Sequence, residues 1–382
     1  MARPKFSTDE FKPTGKMYPG VKLRIGNNNE IPSTPVLNKP IGSYDNFKLI
    51  FEGKKPYWIP VVGSPGTSDT TMFRPRINPD NVANHQLFDG GPRFPYEDYP
   101  DVIHSDWFDL KWQWVDSIGG ATVYPGNPKV PDMTNWEEYT SIPDLDKMDW
   151  ETCAKQNVDY LATDRMNQLG IQCGLWERLM ALMDVVEACI ALVDEDQKDG
   201  VHRFFDKYAD FLIGYIGRMK DVCDINSVML HEDWAHQMGP FISPDTAREM
   251  LLPYLQRIVD YVHSRGMLFE IHCCGDCKML VPLFIESGAD MWNGQPNLND
   301  MGGYAKQYKD SNFVFGVMAP DIVPEVSYED MRKAAREWVD EYKDYKVAVS
   351  FMRPLGEPVL QFHPKLREAL YEYSRIAYQD ED

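Results

Sequence analysis

The sequence is short of positive charge. Lys and Arg number 39 against 59 Asp and Glu, a net charge of −20. Phosphate backbones are bound by clustered Lys and Arg, so this balance excludes nucleic acid as the expected partner; it suits solubility and docking with a basic partner. No apolar run approaches the roughly 18 residues of a membrane span, and a membrane role is not expected. The opening residues, from Met1 to Asp9, have no apolar core and do not read as a secretory signal. A disulfide framework is lacking too. The cysteines number seven, an odd count, and Cys273, Cys274 and Cys277 crowd together, which fits a reduced, cytoplasmic protein better than a secreted one. There is no fixed-period repeat and no low-complexity tract.

What is present suits a sizeable core. The chain has 382 residues, of which 43% are hydrophobic. Residues 1–150 are rich in Pro, Gly, Asn and aromatics and carry few helical stripes; residues 151–382 alternate short apolar runs with amphipathic stretches. Ser227 to His231, Met267 to His272, Ala289 to Trp292, Asn312 to Val317 and Lys346 to Phe351 read as strands. Gly170 to Gly174 and Tyr57 to Val62 are further candidates. Ser243, Pro244 and Asp245 read as a helix start, with Leu251, Leu252, Leu255, Ile258, Val259 and Val262 at helical spacing and Gly266 as the stop. Cys277 to Glu286 reads as helix, as does the stripe after Ser327. Strands alternating with helices predict an α/β fold, a (β/α)8 TIM barrel with an N-terminal extension; an open doubly wound sheet is the alternative. Residues 1–150 would form the extension and first strand, residues 151–382 the rest of one structural domain.

In such a barrel, functional residues gather where strands run into the following loops. Three strand ends carry chemistry. At the first, His231, Glu232, Asp233, Trp234 and His236 follow an apolar run. Glu232 or Asp233 is the candidate acid, base or oxygen ligand, and alternation along a strand turns only one of them to the mouth. His231 and His236 read as structural more readily than as ligands, and Trp234 as a wall. At the second, His272 and Cys274 share one face of an extended strand, and Cys277 completes a Cys-x-x-Cys; imidazole and thiolate are zinc's ligands. Cys273 faces the other way, into packing. At the third, Asn293 and Gln295 offer amides to a substrate or to the loop itself.

The run Glu232-Asp233-Trp234-Ala235, then Gly239 to Pro244, Leu252-Pro253 and His272-Cys273-Cys274-Gly275 resembles the uroporphyrinogen decarboxylase superfamily, specifically its corrinoid-dependent methyltransferase branch. Lys54 to Pro60 resembles its opening strand, and Ile142 to Asp146 the segment leading into the barrel. The resemblance implies a His-x-Cys zinc site, here His272 and Cys274, working beside cobalamin carried by a separate corrinoid-binding protein. Relatives that activate a thiol show a further cysteine near the last strand, whereas Val347 to Arg353 contains none, so Cys277 or Glu232 must complete the metal set. The arginine-rich tetrapyrrole motif of the decarboxylases has no counterpart near Trp58 to Gly63.

The expectation is therefore a zinc-dependent transfer of a methyl group from a small methylated substrate, such as a methoxylated aromatic, to the cobalt of a corrinoid protein. Glu232 and Asp233 would be catalytic; His231, Trp234, Asn293 and Gln295 would line the substrate site; His272, Cys274, Cys277 and Glu232 would hold the metal. Trp107 and Trp112 are candidates for a water-excluding lid. Transfer from methyl-corrinoid to a thiol or pterin, a decarboxylase-like lyase and a zinc-stabilised scaffold without turnover are the competing readings. The oligomeric state, monomer or homo-oligomer, stays open.

Overall fold

The computed structural model describes every residue except 1–2, 23–29, 32, 63–71, 74–103, 116–119, 124–125, 127, 160, 172, 323–324, 351–363 and 382. Eight strands make one sheet. In chain order they are β1 (Val61–Val62), β2 (Met72–Phe73), β3 (Met166–Ile171), β4 (Ser227–His231), β5 (Leu268–His272), β6 (Met291–Trp292), β7 (Val314–Met318) and β8 (Val347–Ser350). Across the sheet they run β1-β8-β7-β6-β5-β4-β3-β2, and every pairing is parallel. That is the strand order of a (β/α)8 barrel, the architecture expected from the sequence.

Parallel strands need crossovers, and amphipathic helices supply them. The long helix Lys198–Cys223 joins β3 to β4, and Leu252–Ser264 leads from β4 to β5. Outward side chains of the strands, including Val228, Leu230, Phe269, Ile271, Trp292 and Phe315, pack with these helices in the main core. The expected caps are in place: Ser243 Oγ accepts from the Thr246 amide at 3.0 Å, and Ser327 Oγ from the Asp330 amide at 3.1 Å.

Inward side chains form layers. At the base, Val62, Met166, Leu268, Met291, Val314 and Ala348 cluster with Phe47 and Ile50 of the helix Ser43–Phe51, which plugs that end. One alternation further up the lumen turns polar. Gln168 Nε2 donates to Glu270 Oε2 at 2.7 Å, and Ser350 Oγ to Asn293 Oδ1 at 2.7 Å. A second step reaches His231 and His272, opposite one another in the register of β4 and β5. Period-two alternation thus carries each strand from apolar base to chemically loaded mouth.

Several boundaries differ from the sequence reading. The strand expected at Gly170 to Gly174 lies earlier, at Met166–Ile171, because Gly174 is the N-cap of the helix Leu175–Met183. The helix expected from Cys277 begins at Val281, since the Cys277 amide donates to the Asn299 side chain at 3.0 Å and the chain is still turning. β2 had no recognisable signal. The N-terminal region adds a hairpin, Pro13–Tyr18 with Thr34–Leu37, and an antiparallel trio at His104–Ser105, Lys111–Val115 and Gly120–Val123. Trp107 packs edge-on against Phe211 and Tyr215 of the long helix, so it belongs to the core and not to a lid. The Trp112 side chain lies outside the described residues.

Beside Trp107, Asp106 pairs with Arg178, and both side chains are fully buried. Asp106 also accepts from the amides of Phe108 and Leu110, at 2.8 and 3.0 Å, which fixes the extension to the barrel helix. Removing one member of such a pair strands a charge in the core. Asp106→Ala is expected to cost about 3–5 kcal/mol, read as a lower urea midpoint than the wild type; an unchanged midpoint would contradict this anchoring role.

Candidate functional site

The register places His231 and His272 at the same height on adjacent strands. Their rings stack with centroids 4.0 Å apart and planes 24° from parallel. Beyond β4 the chain turns sharply: Asp233 has φ +38, one of five left-handed non-glycine residues among those described. The turn aims its carboxylate back over the imidazoles. Asp233 Oδ1 lies 3.7 Å from His272 Nε2, and Oδ2 lies 3.8 Å from His231 Nδ1. Oδ1 also accepts the Cys274 amide hydrogen at 2.7 Å, tying the β4 and β5 loops together. Cys274 Sγ sits 3.3 Å from His272 Nε2.

One ligand atom from each of His231, Asp233 and His272 falls within 4.8 Å of the others. In a tetrahedral zinc site, bonds of 2.0–2.3 Å set ligand atoms about 3.3–3.8 Å apart. The Asp233 and Cys274 contacts of His272 lie in that range, and imidazole, carboxylate and thiol are the donor types zinc uses. The residues therefore fit a divalent cation. Side-chain exposures of 6% for His231, 13% for His272 and 26% for Asp233 put the cluster at a mouth that is walled yet open. Burial, with the Asp233 carboxylate adding to it, holds the Cys274 thiol well above its ordinary range.

Glu177 was not found by sequence reasoning. It stands in the first turn of the helix after β3, with Oε1 2.8 Å from His231 Nδ1 and Oε2 accepting the Cys173 amide hydrogen at 3.0 Å. No local motif marks it, because its partner is 54 residues away in the chain.

Two expected metal ligands point elsewhere. The Glu232 carboxylate is fully buried and turned from the imidazoles to the start of the helix Leu175–Met183. It accepts from the amides of Leu175 and Trp176 at 2.8 and 3.0 Å and from Trp234 Nε1 at 3.0 Å. Gly174 makes room for it, since a Cβ there would overlap the carboxyl carbon. Alternation from an inward His231 sends Glu232 out and Asp233 in, which separates the two acids. Cys277 is likewise removed. Its Sγ lies 3.3 Å from both Cys273 Sγ and the Cys274 carbonyl oxygen, beneath the loop.

The remaining expected residues shape the surroundings. Trp234 is buried against Phe284, with its indole nitrogen on Glu232. Asn293 lies in the lumen on Ser350 and against Gly316, where a Cβ would collide with it. Gln295 Oε1 accepts the Gly275 amide hydrogen at 3.1 Å, bracing the loop of Cys274. Gly275 itself has φ +84, and a Cβ on it would lie 2.6 Å from the His236 carbonyl oxygen, so only glycine lets the β4 and β5 loops meet. His236 is exposed and accepts the Met238 amide hydrogen at 3.2 Å, closing its own turn.

The family model described as uroporphyrinogen decarboxylase (URO-D) matches residues 127–352. No curated protein sequence matches the chain. Among solved structures, a methyltransferase from Methanosarcina mazei shares 14% identity at a TM-score of 0.53, covering 88% of this chain and 99% of that one. A sugar phosphate isomerase/epimerase from Parabacteroides distasonis shares 9% at a TM-score of 0.28, covering 57% and 96%. At these identities the first likeness speaks to fold alone, and the second carries no argument.

Burial raises the Glu232 carboxyl from 4.5 to about 7, against the pull of its three donors. A folded state that holds the proton more tightly gains stability that is full below about pH 4.5 and lost as pH rises through about 7. In Glu232→Gln an amide NH2 must face an N–H donor, at about 1–3 kcal/mol. The expected result, measured by urea unfolding of metal-free protein, is a wild type more stable than the variant by a margin that shrinks from pH 4.5 to pH 7. A margin that grows over that interval would contradict the assignment.

Proposed function

The chain belongs to the uroporphyrinogen decarboxylase family, and we propose that it is a zinc-dependent methyltransferase, moving a methyl group from a small methylated substrate to the cobalt of a corrinoid carried by a partner protein. The observation that carries this reading is the convergence of His231, Asp233 and His272 at the mouth, with Cys274 on His272. A fold shared with a methyltransferase supports it. So does the match of His272-Cys273-Cys274-Gly275 to the His-x-Cys pattern of the corrinoid-dependent branch.

His231, Asp233 and His272 would hold the ion, with Cys274 beside them on His272. Zinc bound there supplies a Lewis acid that makes an alkoxide or phenoxide a better leaving group. Asp233 is held by the Cys274 amide and faces both imidazoles, so it sets the spacing of the donors. Glu232 acts on the frame, pinning the helix after β3 to the end of β4. The polar lumen of Gln168, Glu270, Asn293 and Ser350 lies one alternation below the imidazoles and would orient the polar end of the substrate. The ether class, with methoxylated aromatics as its candidates, is favoured over thiol activation because the donor set holds one thiol, two imidazoles and a carboxylate.

No helix among the described residues is long and apolar enough to cross a membrane.

The test is metal analysis followed by turnover. Purified protein is expected to carry about one zinc per chain, and to methylate a Co(I) corrinoid protein from a methoxylated aromatic, seen in the cobalt absorption. His272→Ala is expected to stay folded while losing at least about 100-fold in zinc affinity, with loss of transfer. Unfolding of that variant would mark the metal as structural. Carbon dioxide release from uroporphyrinogen without methyl transfer would replace the proposal with the decarboxylase reading.

A further inference from the structure

The contact between Glu177 and His231 has a part that helix capping does not explain. Glu177 is the third residue of the helix Leu175–Met183. Its Oε2 reaches back to the Cys173 amide, as an acid in the first turn commonly does. That use leaves Oε1 to be placed by geometry, and it lies 2.8 Å from His231 Nδ1. We propose that Glu177 is the positioning residue of the site, fixing both the ring plane and the tautomer of His231. The proposal rests on the metal reading above for its consequence, though not for its geometry.

An ionised carboxylate only accepts hydrogen bonds, so the hydrogen in this contact belongs to the imidazole. A neutral ring protonated on Nδ1 carries its lone pair on Nε2, the nitrogen then able to bind a cation or accept a proton. A carboxylate behind a histidine is the arrangement that orients metal-binding imidazoles generally. Asp233 does not compete for the role, because 3.8 Å is too long for a hydrogen bond. The ring is held on its flat face as well, by the stack on His272 at 4.0 Å.

Glu177 is itself fixed from two sides. Cys173 takes φ +62, a left-handed conformation unfavourable for a residue with a Cβ. It turns its amide to Glu177 and its carbonyl oxygen to the Tyr208 hydroxyl, which donates at 2.7 Å. The Gly174 amide donates to the His231 carbonyl oxygen at 2.6 Å, binding the same turn to the end of β4. The loop after β3 thus serves β4, and the strained residue is the joint between them.

Two measurements test this. The first needs no metal: 15N NMR of histidine-labelled protein at pH 8, where imidazole is neutral. His231 is expected as the Nδ1–H tautomer, with that preference lost in Glu177→Ala and kept in Glu177→Gln, whose amide oxygen still accepts. An Nε2–H tautomer in the wild type overturns the proposal, whatever the variants do. The second is Co(II) affinity by chelator competition in wild type, E177A, E177Q, H231A and E177A/H231A. E177A is expected to lose about 10–100-fold and E177Q clearly less, while the double variant binds no more weakly than H231A. An E177A loss of equal size in the H231A background would show that Glu177 does not act through His231. If the wild type binds neither Co(II) nor zinc, the metal reading fails and the tautomer measurement decides the role of Glu177 alone.

Discussion

The site depends on one pairing, that of β4 with β5. Their parallel register puts His231 opposite His272, and inward alternation from the base of the barrel brings both rings to the mouth. No loop rearrangement creates that pair; the backbone ladder does. A shift of one residue in either strand would turn its histidine out of the lumen. The loops then add what the strands cannot: Asp233 from the turn after β4, Cys274 from the turn after β5, and Glu177 from the helix after β3.

Rigidity in those loops comes from buried polar groups with named partners. Glu232 joins the helix after β3 to the end of β4 through two backbone amides and an indole. Asn299 accepts from the Cys277 amide and donates to the carbonyl oxygens of Gly275 and Gln295 at 2.8 and 2.9 Å. The positive φ values of Cys173, Asp233 and Gly275 sit at the three turns that converge on the imidazoles. Backbone strain of this kind persists where surrounding contacts over-determine it, and here those contacts are the hydrogen bonds that aim the side chains.

Much of this was legible in the sequence. The short apolar runs Ser227 to His231 and Met267 to His272 read as strands, and both are strands of the barrel. The parity argument that only one of Glu232 and Asp233 could face inward also follows from a period of two. What was not legible was tertiary. Glu232 is the more deeply placed acid because a helix start from another strand needs it, and no spacing within residues 231–236 reports that. Cys-x-x-Cys spacing suggested Cys277 as a ligand, yet the left-handed Gly275 turns the chain so that Cys277 lies under the loop against Cys273. Glu177 could be found only as an acid in a first helical turn, a signal shared by many helices that hold no site.

The proposed chemistry requires a single divalent ion shared by imidazole, carboxylate and one thiolate at this mouth. Zinc K-edge X-ray absorption of the reconstituted protein reads that ligand shell. A mixed shell is predicted, with nitrogen and oxygen at about 2.0–2.1 Å and one sulfur at about 2.3 Å. A shell of two or more sulfurs would instead draw Cys273 or Cys277 to the metal and contradict the donor set described.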